Sequence, residues 1–202
     1  MIVISLWYPQ SSALLPRIPM LSDQLLLGIL NLSLLAIPAE RARERLQAAA
    51  SRDPLTGAWN RDGLARFGAD LVGPGAAVLA IDVDHFKAIN DDHGHGSGDD
   101  VLVAVADTAN SLVAPQKGAV FRIGGDEFLA ILPRCDAAKS RQIADRLRRF
   151  DQGDGLPDCT LSIGIALVET PTLDVEAAIR SADDALYRAK ALGRDRIHLV
   201  TA

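Results

Sequence analysis

Hydrophobic residues change their spacing several times along this chain, and each change marks an element. Ala58–Leu71 has helical spacing, and Ala76–Val83 (AAVLAIDV) is a continuous apolar run of strand length, as a buried strand requires. Gly98–Val113 places Val101, Leu102, Val105, Ala109 and Leu112 along one face of a long helix. Ala119–Ile123 and Phe128–Leu132 are short strands around Gly124-Gly125-Asp126-Glu127, which reads as a hairpin. Asp136–Phe150 is helical, Thr160–Val168 is a strand, and Val175–Leu192 is a helix that Gly193 ends as its C′ residue. Ile197–Val200 makes a last short strand. Helices and strands interleave around a central hairpin. The expected fold class is therefore α+β, a mixed and largely antiparallel sheet with helices on its faces.

The first part of the chain has a different texture. Residues 20–37 (MLSDQLLLGILNLSLLAI) are leucine-rich, and the 13 residues Leu25–Ile37 carry no charge. A spanning helix needs roughly 20 apolar residues, so the run is short for a bilayer. Two readings stay open for residues 20–37: a membrane anchor, or an apolar helix that packs on itself or on a partner chain. Arg41, Arg43, Arg45 and Arg52 follow against Glu40 and Glu44, a positive excess that would hold the rest in the cytoplasm if the segment inserts. Met1–Trp7 lacks the basic stretch of a secretory signal. Glu40–Ala50 (ERARERLQAAA) reads as a charged connector helix, or as a dimer stalk if it pairs with a copy of itself. The expected organisation is an apolar segment over 1–38, a connector helix over 39–52 and one domain over 53–202.

Composition narrows the function classes. Hydrophobic residues make up 49% and charged ones 23% of 202 residues, which excludes disorder and leaves enough apolar surface for a real core. The net charge of −5 lacks the basic field of a duplex binder, so no nucleic-acid partner is expected. Cys135 and Cys159 form no CxxC pair and no zinc-like spacing, and are read as unbridged thiols in a reducing compartment.

Candidate chemistry gathers at strand ends. Asp82-Val83-Asp84 follows the apolar run Val78–Ile81, and Asp126-Glu127 lies in the glycine hairpin. A single such Asp is ordinarily a turn or cap residue. If the two strands neighbour each other, however, four acids converge and repel unless a cation joins them. Hard oxygen donors select Mg²⁺ or Mn²⁺, which leave positions free for phosphate oxygens. Gly124 and Gly125 have two readings: positive φ for a tight turn, or bare backbone that a ring or phosphate can approach. The passage from strand to helix over His85, Phe86 and Lys87 offers unpaired N–H groups to a phosphate. Asn90 and Asp99 suit a guanine, the carboxylate taking N1–H and the exocyclic amine; the plainer reading makes both of them helix caps. His93 and His95 lack partners at ligand spacing and read as structural. Lys190 and Arg194 flank a helix C-terminus, where the dipole alone favours cations, and where they could equally neutralise a triphosphate.

Five stretches in order resemble the GGDEF-domain diguanylate cyclases. Arg122-Ile123-Gly124-Gly125-Asp126-Glu127-Phe128 resembles that family's signature, and Asp53-Pro54-Leu55-Thr56-Gly57-Ala58-Trp59-Asn60-Arg61 its opening element. The stretch from Ile81 to Asp99 is similar to its DxDxFKxINDxxGHxxGD element, and Ser162-Ile163-Gly164 and Ala182–Arg194 to its closing ones. Together they span about residues 53–200. The resemblance implies a central sheet wrapped by helices, like nucleotidyl cyclases and polymerase palms, and the joining of two GTP into cyclic di-GMP with release of two pyrophosphates. It implies Mg²⁺ or Mn²⁺ held by Asp82, the Val83 carbonyl and Asp126, with Glu127 assisting and either acid of the pair activating the 3′-hydroxyl. It further implies guanine recognition by Asn90 and Asp99, and phosphate binding by Lys87, Lys190, Arg194 and amides near Phe86. One GTP per domain makes a homodimer a requirement of catalysis.

The chain also departs from the family pattern. The inhibitory RxxD motif is replaced by Pro115-Gln116-Lys117-Gly118, so no product inhibition through that site is expected. Asp62 and Asp195 stand where the family carries Arg and Asn, with little effect expected. The alternative to a cyclase is a non-catalytic module of the same fold that senses GTP or docks a partner. A third reading is a membrane-proximal scaffold that only self-associates.

Overall fold

The computed structural model describes residues 24–28, 30, 51–150, 155–169 and 174–201. The chain divides into two units, Met1–Gln47 and Ala48–Ala202. In the first, residues 24–28 and 30 are helical, and Leu25, Leu26, Leu27 and Leu30 are exposed. The rest of the apolar segment and most of the expected connector helix lie outside the described residues; Ser51 and Arg52, its last two positions, form a turn and a β-bridge. Among the described residues no helix is long and apolar enough to cross a membrane.

The second unit runs α1 (Arg61–Leu71), β1 (Ala76–Val83), α2 (Phe86–His93), α3 (His95–Val113), β2 (Ala119–Arg122), β3 (Glu127–Leu132), α4 (Ala137–Arg148), β4 (Leu161–Val168), α5 (Val175–Ala191) and β5 (Ile197–Thr201). The strand order is β2-β3-β1-β4-β5. β1 is antiparallel to both β3 and β4, and only β4–β5 is parallel. The α+β expectation describes this sheet.

All eight residues of β1 are buried, which explains the unbroken apolar run: helices cover both faces of the strand. Ala77, Leu79, Ile81 and Val83 join one cluster with Val101, Leu102 and Val105 of α3 and Ile143 and Leu147 of α4. Ala76, Val78 and Ala80 join a second with Ala178, Ala182 and Leu186 of α5. Full burial of each large aliphatic side chain contributes about 1.5–3 kcal/mol. Gly164 on β4 sits against α5 so closely that a Cβ would overlap the Ala182 carbonyl and the Leu186 backbone nitrogen. Small residues at this crossing let α5 lie low on the sheet.

Two helix boundaries differ from the spacing. α1 begins at Arg61 rather than Ala58, because Trp59 belongs to the sheet edge: its N–H donates to Val120 O at 3.0 Å and its carbonyl accepts from Arg122 N–H at 2.6 Å. Asn60 then caps the helix by accepting from Gly63 N–H at 3.0 Å. α3 begins at His95 rather than Gly98, because Gly94, at φ 85°, ends α2 and starts α3 with no intervening loop.

Candidate active site

Strand alternation decides where the first acid goes. Asp82 continues the row Val78 and Ala80 on the α5 face, two residues beyond Ala80. Its side chain is 9% exposed, and Lys190 from the last turn of α5 donates from Nζ to its Oδ2 at 2.7 Å. Burial pushes the Asp82 carboxyl above the ordinary range. Lys190 pulls it back without cancelling that, and Asp126 and Asp84 add to the upward push.

The hairpin delivers the second pair of acids. β3 begins at Glu127, one residue earlier than the spacing predicts, and Glu127 stands in register opposite Asp82. Residues directly opposite in an antiparallel pair share a face. Next to it, Asp126 accepts at its carbonyl from Val83 N–H at 3.3 Å. Asp82, Val83, Asp126 and Glu127 are therefore brought together at one strand end. Neither hairpin glycine is in the left-handed region, so the positive-φ reading is set aside. A Cβ at Gly124 would meet Glu127 Oε2 at 2.6 Å, whereas one at Gly125 would meet nothing within 4 Å. Gly124 leaves room for the Glu127 side chain, and Gly125 presents bare, open backbone.

Arg122 straps this hairpin. Its Nε and Nη2 donate to Gly125 O at 3.2 and 2.8 Å, and its Nη1 reaches Asp53 Oδ1 at 2.9 Å. Asp53 also accepts from Thr56 N–H and Oγ1, at 2.9 and 2.7 Å. Burial would raise the Asp53 carboxyl, but the Thr56 and Arg122 contacts together outweigh it and hold it below the usual range. The opening stretch and the signature stretch, distant in sequence, thus form one structural unit.

Asp84 does not join the other acids. It is buried and bonded to Thr160, Ser162 and the Asp195 N–H, so three acidic residues and a carbonyl assemble, not four acids. Asp195 is no bystander either, since its carboxylate also pairs with Arg148 of α4 at 2.6 Å. His85, at φ 56°, precedes α2 with no side-chain cap, leaving the helix's first N–H groups open, next to exposed Lys87 and half-buried Phe86. Asn90 packs its Oδ1 against Gly98, where any Cβ would displace it, so Asn90 and Asp99 share the α2–α3 corner. Neither side chain caps a helix, since Gly94 bonds the Asn90 carbonyl and Asp99 falls inside α3. Arg194 follows α5 in the left-handed region, φ 59°, after Gly193 at φ 117°.

Sequence reasoning missed Asp183 of α5, which lies with Glu127, Ile123, Tyr187 and Lys190 around a cavity of about 220 Å³. Partial burial, then the charges of Glu127 and Asp184, push its carboxyl up. Its helical spacing from Lys190, two turns on, is the signal that could have found it. Among the described residues no group of three or more histidine, cysteine, aspartate or glutamate side chains is placed to hold a metal ion.

A family profile described as "Diguanylate cyclase, GGDEF domain" matches residues 50–196. The chain is 38% identical over 171 residues to diguanylate cyclase DgcM of Escherichia coli, covering 78% of this chain and 40% of that protein. It is 38% identical over 165 residues to diguanylate cyclase DgcP of Pseudomonas aeruginosa, covering 73% of this chain and 23% of that protein. The chain thus spans well under half of these relatives' lengths. Among solved structures, the coiled coil and GGDEF domain of DgcB from Caulobacter crescentus, in complex with c-di-GMP, superposes with a TM-score of 0.70 at 29% identity. That match covers 84% of this chain and 97% of the other.

Proposed function

The chain belongs to the diguanylate cyclase GGDEF domain family, and on that premise we propose that it joins two GTP molecules into cyclic di-GMP. Each 3′-oxygen attacks the α-phosphorus of the other GTP, the bond to the β-phosphate breaks, and two pyrophosphates leave. The observation that carries this reading is the meeting of Asp82, Asp126 and Glu127 at one strand end, with Lys190 on Asp82 at 2.7 Å.

The donor set fits a hard divalent ion. Asp82 and Asp126 repel each other, burial has taken Asp82 largely out of water, and Val83, next to Asp82 in the chain, bonds its N–H to the Asp126 carbonyl. Two carboxylates and a carbonyl suit Mg²⁺ or Mn²⁺, which keep the rest of their coordination for water and phosphate. When bound there, the ion supplies Lewis-acid polarisation of the α-phosphate and a more acidic 3′-hydroxyl. Glu127 or Asp126 takes the hydroxyl proton. Lys87, the N–H groups at Phe86 and Lys87, Lys190 and Arg194 hold the triphosphate and its developing charge. Lys190 thus exchanges Asp82 for phosphate when substrate arrives. Asn90 and Asp99 bind the guanine edge, and a second domain brings the second GTP, so the working unit is a homodimer.

The test is incubation of the full chain with GTP and Mg²⁺, followed by detection of cyclic di-GMP and pyrophosphate. Asp126→Ala should abolish product while the protein stays folded. Tight GTP binding without pyrophosphate release, at high protein concentration, would instead establish the non-catalytic alternative.

A further inference from the structure

The Asp84 side chain is 1% exposed, yet it stands two residues from Asp82 at the same strand end. Its Oδ1 accepts from Ser162 Oγ at 2.7 Å. Its Oδ2 accepts from Thr160 Oγ1 at 2.7 Å and from the Asp195 N–H at 3.0 Å. Three donors on two enclosed oxygens leave this carboxylate little capacity for an ion. They tie three segments into one knot: the exit of β1 into α2, the start of β4, and the α5–β5 loop. The first and last of these carry the phosphate-holding groups, Phe86 and Lys87 on one side and Arg194 on the other.

Both segments also hold backbone that L residues disfavour, with His85 at φ 56°, Arg194 at φ 59° and Asp195 at φ 44°. Such angles persist only where the surroundings hold them. Arg194 turns its Nε toward Asp84 Oδ1 at 3.9 Å while its side chain stays 45% exposed, so the charge is oriented without being consumed. We infer that Asp84 is a positioning residue for the triphosphate: it sets the α2 N-terminus and Arg194 against each other as a two-sided anion cradle, without touching substrate. The inference rests on the GTP reading above.

The test separates phosphate from base. The full chain is titrated in Mg²⁺ with 3′-deoxy-GTP, which lacks the attacking 3′-hydroxyl, and separately with guanosine, which has no phosphate. Asp84→Ala removes every acceptor. Asp84→Asn still accepts from Thr160 and Asp195 at one oxygen and donates to Ser162 Oγ, but lacks the charge facing Arg194. The expected result is 3′-deoxy-GTP weakened about tenfold by the Ala variant and about threefold by the Asn variant, with guanosine unchanged. A parallel fall for both ligands, or no change for either, would overturn the inference. Should the Ala variant fail to fold, the Asn variant decides: unaltered 3′-deoxy-GTP affinity at a wild-type melting temperature rejects the cradle. Wild-type protein that binds neither ligand rejects the GTP reading itself, and the inference with it.

Discussion

Asp82 and Asp84 leave one strand separated by a single valine, and the fold treats their charges in opposite ways. Asp84 is closed in by three hydrogen-bond donors and is nearly inaccessible. Asp82 has been taken out of water with one lysine for compensation, and its carboxyl is pushed up by burial. A satisfied buried carboxylate does structural work, because its hydrogen bonds exist whether or not a ligand is present. An under-satisfied one at the rim of a cleft retains an unmet demand for positive charge, which a cation can answer. Alternation would give positions 82 and 84 the same face; what separates them is that β1 ends at Val83, so Asp84 lies beyond the strand, where Thr160, Ser162 and the Asp195 N–H close on it.

The largest separation of the pair comes from activity. Asp82→Asn should reduce cyclic di-GMP formation by about a hundredfold or more, the loss of several kcal/mol expected of the proposed metal ligand. Its melting temperature should stay level or rise. The sign follows from the raised carboxyl: the stability it contributes is present below the unfolded value and lost as pH rises through the folded one, so at neutral pH the ionised group is a burden. A clear loss of stability in Asp82→Asn would erase the contrast with Asp84.

Asp84→Ala should show the reverse weighting, losing about 2–4 kcal/mol in urea unfolding as buried donors go unpaired. Gly164→Ala comes next. Its Cβ falls on the Ala182 and Leu186 backbone, so overpacking should cost about 1–3 kcal/mol and lift α5, separating Lys190 from Asp82. An unchanged Tm there would mean that the low seat of α5 does not govern the Lys190 contact.

A third carboxylate sharpens the comparison, because Asp53 is held below the usual range by Thr56 and Arg122 despite its burial. Its contribution is complete above the unfolded value and disappears as pH falls through the folded one. Arg122→Ala should therefore cost about 1 kcal/mol near neutrality, and the difference from wild type should close in acid unfolding titrations. The smallest effect is a reporter. Cys159 is pushed up to about 11 by burial, then by Asp158 and Asp84, so it should alkylate slowly at neutral pH. Asp84→Asn should quicken that reaction modestly by removing one negative charge.

Much of the proposed site could be read from the sequence because it is written in short local stretches. Asp82, Asp126, Glu127, Asn90, Asp99, Lys190 and Arg194 each stand out by type beside a strand end, a glycine turn or a helix terminus. Asp84 and Asp183 were not legible. Asp84 has the same local setting as Asp82, and only the positions of Thr160, Ser162 and Asp195 reveal its different duty. Asp183 looks like any exposed helical acid until α5 is laid beside Glu127.

The sequence by itself determined the elements and their class, because period, capping chemistry and glycine placement act over a few residues and need no partner. β1 and the close of α5 at Gly193 followed from those rules alone. The tertiary structure decided which charges meet. Lys190 on Asp82, Arg122 on Asp53 and the Asp195 N–H on Asp84 are contacts between segments far apart in the chain. Whether a carboxylate binds, braces or waits depends on its solvation and its neighbours, and neither exists until strands and helices have packed.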